Sequence, residues 1–321
     1  RDYDVNKEID VISNDINWVS NSWINGAGIE SEFLGLLKNV NYNVKNENIY
    51  KTDRNVSEFY GALGLKSELG LFKINDEKKE INIFKPKILF KLSPPHSRDV
   101  SSHSSRLLYS NIFKLNKVNN IHTVDTGSSV SLGFDFKVKN LNKNNSVSDE
   151  KFSFGIGQVI SEKDNKNMPV KSSLNQRFSD IVSETKLKIS DNFKISNSFS
   201  LDQNLEDLNS NQFDIDVIYP KVSFNLGYLE ERQNIGNQKY VNSKASLNFE
   251  SSALSFSTKR NLISSSSEFY NLSYEYINDC LKAGLAFRRE FYRDRDLEPE
   301  DTLFFKITFS PLGSIVTPTA N

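Results

Sequence analysis

The 321 residues hold 40 Lys and Arg against 41 Asp and Glu, so the formal net charge is −1 and the basic excess of a nucleic-acid binder is excluded. Mean hydropathy is −0.51, and no stretch reaches the ~18–20 consecutive apolar residues of a membrane helix; helical spans are excluded, while spanning strands, apolar only at alternate positions, are not. Cys280 is the single cysteine, so it is either a free thiol or half of a bridge to a segment outside this sequence.

The period along the chain is two. Val130, Leu132, Phe134, Phe136 and Val138 interleave with Ser129, Ser131, Gly133, Asp135 and Lys137. Val222, Phe224, Leu226 and Tyr228 interleave with Ser223, Asn225 and Gly227, and Tyr270, Leu272, Tyr274 and Tyr276 with Asn271, Ser273 and Glu275. Near the end, Leu303, Phe305, Ile307 and Phe309 flank Lys306 and Thr308. Successive side chains of a strand point to opposite faces, so each segment reads as a two-faced strand. The pattern predicts strands at 9–19, 23–37, 56–74, 80–92, 123–139, 150–160, 178–190, 192–204, 210–218, 221–231, 239–250, 252–262, 266–277, 280–292 and 301–312.

The connectors alternate in length. Tight turns are expected at 20–22, 190–192, 219–221, 250–252 and 278–280, with longer polar loops at 41–55, 93–122, 161–177, 204–209, 233–238 and 293–300. Outer-membrane barrels have short periplasmic turns and long external loops, which produces this rhythm; the connector 140–149 is longer than the rhythm predicts. The expected fold is all-β, an antiparallel up-and-down transmembrane β-barrel, here a partial barrel of about 15 strands open at one side. One domain is expected over 1–321, a part of such a barrel. The opening at Arg1, without an initiator Met or a basic-then-apolar leader, places any secretion signal upstream.

Residues 104–113 are the best candidate for a helical turn, inside a loop. His96, His103 and His122 lie in or beside the longest loop among Ser, Arg and Pro, which are poor company for a metal site. The Gly-Ile-Gly element at 155–157 lacks the following helix and Lys-Ser/Thr pair of a phosphate loop, and small residues on an inner face account for it. No Ser-His-Asp arrangement stands out, so no catalytic, cofactor-binding or metal-binding residue is assigned and no enzyme is expected. Arg288, Arg289, Glu290, Arg293, Asp294, Arg295, Asp296, Glu298, Glu300 and Asp301 read as a solvated rim and loop.

Four stretches resemble the lipopolysaccharide-assembly family LptD, also called OstA. The tail "NDCLKAGLAFRREFYRDRDLEPEDTLFFKITFSPLGSI" (278–315) is similar to that family's ending, in which one or two cysteines start the penultimate strand, an acidic loop follows and a last strand closes on Leu-Gly. "EKFSFGIGQVISEKD" (150–164) resembles a family strand with a Gly-x-Gly-Gln core, and "LLYSNIF" (107–113) with "VDTGSSVSLGFDF" (124–136) resembles the loop and strand before it. "INWVSNSWINGAGIE" (16–30) fits a Trp-bearing strand less distinctively. One departure is plain: Asn120, Ile121 and His122 stand where the family carries Arg and an Asp-Arg pair.

The resemblance implies that 1–321 is the C-terminal part of the barrel, without the family's N-terminal periplasmic domain and first strands, and that the whole inserts lipopolysaccharide into the outer leaflet of the bacterial outer membrane. The partners it implies are lipopolysaccharide itself, an LptE-like lipoprotein plug in the lumen, and periplasmic bridge proteins reached through the upstream domain. It also implies that Cys280 bridges to an upstream cysteine in the oxidising periplasm. In that setting the charged run 288–301 has a second reading, contact with lipid phosphates and bridging divalent cations. The alternative functions are a passive pore or ligand-gated transporter barrel, which predicts a plug domain or charged constriction loop, and a barrel enzyme, which predicts a catalytic His near a Ser or acid at the strand ends.

Overall fold

A computed structural model describes residues 8–45, 56–141, 147–232, 237–291, 301–309 and 313–318, apart from 97, 119, 121 and 279. Among them the strands are β1 (Glu8–Val19), β2 (Trp23–Ile24), β3 (Ile29–Lys45), β4 (Val56–Leu69), β5 (Leu71–Asn75), β6 (Glu80–Leu92), β7 (Ser129–Leu141), β8 (Val147–Ser161) and β9 (Ile181–Ser190). They continue with β10 (Phe193–Leu201), β11 (Leu208–Ile218), β12 (Val222–Glu231), β13 (Gln238–Asn248), β14 (Ser252–Asn261), β15 (Ser266–Ile277), β16 (Leu281–Glu290), β17 (Asp301–Phe309) and β18 (Gly313–Pro318). They form one sheet with sequence neighbours paired antiparallel, and the described helical content is a single 3-10 turn, Val170–Ser172.

The fifteen expected spans are present, with β18 added and two spans interrupted. β1 and β2 both pair with β3, so they are one strand with an irregularity at 20–22 and not a hairpin there. The reversal falls at 25–28, where Asn25 Oδ1 accepts from the Ala27 and Ile29 amides at 2.9 and 3.0 Å and Gly28 takes φ +79°. β4 and β5 likewise both pair with β6, broken at Gly70. Pro86, which has no N–H to donate, lies on β6 at the level of that break, between the ladders ending at Lys87 and Phe84.

Two loops are shorter than expected because strands run on. β3 reaches Lys45 by pairing with Glu8, and β7 reaches Leu141, so the residues between the strands, 46–55 and 142–146, lie outside the described set. The expected loops 233–238 and 293–300 also fall largely or wholly outside it. The strand expected from 123 starts at Ser129, because 123–128 belong to the preceding connection. The connection 262–265 between β14 and β15 is tight although it lies on the long-loop side; Asn261 Oδ1 accepts from the Ile263 and Ser264 amides at 2.9 and 3.1 Å.

The chain divides into two compact units. Unit 1 comprises Arg1–Thr185 and Ser198–Asn209, and unit 2 Lys186–Asn197 and Ser210–Asn321. In unit 1, register aligns Phe33 with Leu65 and Phe90, and Phe84 with Phe136 and Phe154, on one face. Phe33, Leu37, Phe59, Leu63, Phe90, Leu92 and Leu132 are exposed there.

In unit 2, Leu254, Tyr274, Leu285 and Phe305 align across four strands, and Leu281, Ala283 and Phe287 pair with Phe309, Ile307 and Leu303. Lys282 and Thr308 pair on the opposite face, as do Gly284 and Lys306. That face is hydrophilic: Ser223, Ser246, Ser255 and Ser273 form one row, with hydroxyl contacts of 2.5 Å between the first two and 2.6 Å between the last two.

The four tight turns of unit 2 share one end. Ile218 donates its amide to Asn192 O at 2.8 Å, Asn248 to Lys221 O at 2.8 Å, and Ile277 to Ser251 O at 2.9 Å.

Leu285 is 46% exposed at the middle of β16. If its face meets hydrocarbon, Leu285→Arg destabilises the folded protein in a bilayer by roughly 2–4 kcal/mol, while Lys306→Gln on the other face changes little. Urea unfolding of the two variants in vesicles reads this directly, and equal stabilities would reverse the face assignment.

Candidate functional site

Two connections of unit 1, residues 93–128 and 162–180, cover the face of the sheet opposite its exposed apolar one. Structureless connections this long are uncommon and usually functional. These carry their own apolar residues inward: Val100, Leu107, Ile112, Leu115, Val118, Val124, Met168 and Leu174 are all buried. Leu115 and Val124 pack with Leu36, Val40, Tyr60 and Leu89 from β3, β4 and β6. Leu107, Ile112, Met168 and Leu174 pack with Val159 and Val182 from β8 and β9. The expected helical turn at 104–113 is a series of tight turns instead, in which Asn111 N donates to Leu108 O at 3.0 Å and Lys114 N to Asn111 O at 3.1 Å.

Glycines on the strands make the seats. A Cβ on Gly64 would lie 2.6 Å from Leu115 Cδ2, and one on Gly133 would lie 3.1 Å from Phe113 Cζ. A Cβ on Gly155 would lie 2.5 Å from Tyr109 Cζ, and one on Gly157 would collide with Ile112 Cδ1. The close approach that only glycine permits is therefore used by successive loop residues. The Tyr109 hydroxyl donates to Phe134 O at 3.2 Å and to the Asp135 carboxylate, which also pairs with Lys87. Burial and that carboxylate push the Tyr109 phenol well above its ordinary range. Ser131 Oγ donates to Ile112 O at 2.7 Å.

Buried charges tie the first connection down at two points. Lys91 Nζ lies 2.6 Å from Asp125 Oδ2 and also donates to its carbonyl; Lys117 Nζ lies 3.5 Å from Oδ2, and Lys117 N donates to Oδ1 at 2.7 Å. Burial alone would raise the Asp125 pKa, but Lys91 and Lys117 outweigh it and hold the carboxyl below the usual carboxylate range. At the second point Arg98 pairs with Glu58, which accepts from the Tyr42 and Tyr60 hydroxyls at 3.0 and 2.6 Å, while the guanidinium lies 4.4 Å from the Tyr42 ring centroid. The second connection ends in a carboxylate held by neutral donors: Asp180 accepts from Ser200 Oγ at 2.7 Å and Asn209 Nδ2 at 2.9 Å. Between the two connections lies a cavity of about 180 Å³ lined by residues including Pro95, Thr126, Ser128, Glu162, Asn165 and Met168.

The three histidines are separate structural contacts. His96 stacks on Tyr60 with centroids 5.5 Å apart, His103 Nδ1 is 3.1 Å from Asn120 Nδ2, and the His122 amide donates to Asn120 Oδ1 at 2.7 Å. Burial and the nearby Arg98, His103 and Lys38 charges lower the His122 pKa. Among the described residues no group of three or more His, Cys, Asp or Glu is arranged to hold a metal ion. Of the departure residues, Ile121 lies outside the described set, and Asn120 bridges two histidines. In the charged run, Arg288 pairs with Glu290 at 2.6 Å and Arg289 with Asp301 at 3.5 Å; residues 293–300 lie outside the described set. Cys280 is an exposed free thiol in the turn between β15 and β16, where its amide and that of Leu281 donate to Asn278 Oδ1 at 3.0 and 2.7 Å. That turn is at the end shared with residues 192, 221 and 251.

Sequence reasoning missed the anchors Glu58, Lys91, Arg98, Lys117 and Asp125. The signal present was an aliphatic surplus in a nominally polar loop, at Val100, Leu107, Ile112 and Leu115.

The chain matches the family LptD, described as LPS transport system D, over residues 100–262, which includes most of the first connection and all of the second. No curated protein matches it. A triple mutant of the Rh. blastica porin is similar at 10% identity over 94% of this chain and 94% of that chain, with a TM-score of 0.35. A structure described as asymmetric conductivity of engineered proteins is similar at 10% identity over 98% of this chain and 96% of that one, also at 0.35. With scores this low, the strand pairing and not these likenesses defines the fold.

Two outcomes follow from the anchors. Gly155→Val displaces Tyr109 and costs about 1–3 kcal/mol by overpacking; protease cleavage within 93–128 should speed up while the strands stay protected, and unchanged cleavage would mean the seat does not hold the loop. Asp125 has a depressed pKa in the folded state, so the stability it adds is complete above the unfolded value near ~4 and is lost as pH falls through the lower folded one. Cleavage of wild type should therefore rise on acidification through that window. Asp125→Ala, which strands Lys91 and Lys117, should cleave readily at neutral pH, with a docking loss of about 3–5 kcal/mol.

Proposed function

This chain belongs to the LptD family, LPS transport system D, and we propose that it forms part of an outer-membrane barrel wall that delivers lipopolysaccharide into the outer leaflet. The observation that carries the reading is the family match over 100–262, the region in which residues 107–113, 124–136 and 150–164 pack on one another. The two-faced sheet supports it: an exposed row of Phe, Leu and Tyr suits acyl chains, and a Ser, Asn and Lys face suits a wet interior in which sugars and phosphates pass. No catalytic step is needed for such a role. An LptE-like lipoprotein against the hydrophilic face and periplasmic bridge proteins acting through an upstream domain complete the assembly.

Depletion of the full-length protein should remove lipopolysaccharide from the cell surface and accumulate it inside. Depletion that changed only the uptake of small solutes would favour the pore reading instead.

The thiol of Cys280 joins an upstream cysteine on the periplasmic side in this reading, since it is exposed at the tight-turn end. Cys280→Ser in the full-length protein should abolish the mobility difference between reduced and non-reduced samples and lower surface lipopolysaccharide. Normal surface display with unchanged non-reduced mobility would leave the cysteine without a role.

A further inference from the structure

We infer that the apolar face of unit 2 ends, on its long-loop side, in a binding site for phosphate-bearing lipid headgroups, centred on Arg260 with Lys239 and Arg289 beside it. The inference rests on the proposal that this face meets lipid. Register sets the three cations on that face: Val241 aligns with Arg260, Glu230 with Lys239, and Tyr270 with Arg289, continuing the rows of Phe224, Leu226 and Tyr228 and of Leu285 and Phe287. They occupy three strands, β13, β14 and β16, at the end away from the tight turns.

Aromatic rings mark this level as the boundary between hydrocarbon and headgroups. Lys239 lies 5.9 Å from the Tyr228 ring centroid, Arg289 lies 5.2 Å from that of Phe291, and Phe291 meets Tyr270 edge-on at 5.3 Å. Two of the cations have internal acids, since Lys239 is 3.4 Å from Glu230 and Arg289 is 3.5 Å from Asp301. Arg260 differs. It is exposed, it sits on the lipid side of a bulge between Lys259 and Arg260, and among the described residues no acid, carbonyl or ring pairs with it. The neighbouring Lys259 pairs with Glu268 at 2.9 Å and lies 3.8 Å from the Tyr240 centroid, so it is already satisfied.

A guanidinium held at the lipid boundary without a partner among the described residues presents its fork of donors to an acceptor from the membrane. Phosphate is the acceptor whose geometry a guanidinium matches with two parallel bonds. Ser267, which aligns with Arg260, and Tyr270 supply hydroxyls beside it, with Ser267 Oγ 2.9 Å from the Tyr270 hydroxyl. The committed ligand is therefore a phosphorylated lipid of the leaflet facing the long loops, with its acyl chains lying along Leu272, Leu254 and Phe256.

The test uses full-length protein in phosphatidylcholine vesicles doped with a phosphorylated glycolipid or its dephosphorylated form. After delipidation and re-isolation, mass spectrometry measures how much glycolipid stays with the protein. Wild type should retain the phosphorylated form preferentially. Arg260→Gln should reduce that preference by about tenfold, the scale of one lost charge-assisted hydrogen bond, and Arg260→Lys should keep most of it. The substitution removes an exposed group that pairs with no acid, carbonyl or ring among the described residues, so folding should be unaffected. In parallel, brominated acyl chains should quench a tryptophan introduced by Leu272→Trp. Quenching together with an Arg260→Gln preference equal to wild type overturns the headgroup site and leaves the lipid-facing reading intact. Absence of quenching overturns both.

Discussion

Pairing of every backbone N–H and C=O along the strand ladders is the constraint from which the other features follow. A strand paired on both edges has only its two faces left for side chains, and the period of two divides its residues between them except where the register shifts, as at Lys259/Arg260 and Val138/Lys139. On the face of Phe33, Leu37 and Leu63 the residues are large and exposed. On the other, Gly64, Gly133, Gly155 and Gly157 remove bulk so that a loop can lie against the backbone. The glycines weaken their strands locally, and the packing of Tyr109, Ile112, Phe113 and Leu115 replaces the side chains that are missing.

The charge arrangement in unit 1 is of a different kind from an ordinary surface ion pair. Lys91, Lys117 and Asp125 are nearly dry and one carboxylate faces two ammonium groups, so removing Asp125 leaves two like charges that water cannot reach. Arg98 and Glu58 are alike, with two tyrosine hydroxyls sharing the carboxylate. Such groups favour one docked geometry of the connection over others more than they raise its stability. The packing of Leu115 and Val124 beside Leu89 supplies the apolar burial.

The strands were legible because alternation is local: each of Val130 to Val138 reports its own face. Turn positions were less so. The hairpin at 25–28 was missed inside an expected strand 23–37 despite Asn25-Gly26, while Ser20-Asn21-Ser22 mimics a turn and is only an irregularity in one strand. The folded connection was not legible, since its order comes from partners more than thirty residues away, such as Lys91 for Asp125 and Glu58 for Arg98. The glycines of 155–157 were correctly read as small residues on an inner face, but nothing in sequence says that Tyr109 and Ile112 fill the space above them. Part of the family likeness has a related basis: residues 107–113, 124–136 and 150–164 pack on one another and lie within the matched range, whereas 16–30 and the tail lie outside it.

Amide bonds continue the ladders of unit 2 past both ends of the strands. At the tight turns Ile218 donates to Asn192 O, Asn248 to Lys221 O and Ile277 to Ser251 O, and at the other end Leu262 donates to Lys239 O and Phe291 to Glu268 O. A strand such as β14 is therefore fastened at Ala253 and at Asn261 alike, and its irregularity lies inside it, at the register shift between Lys259 and Arg260. Amide hydrogen exchange along the β14–β15 ladder should then be fastest at that bulge and slower on either side of it.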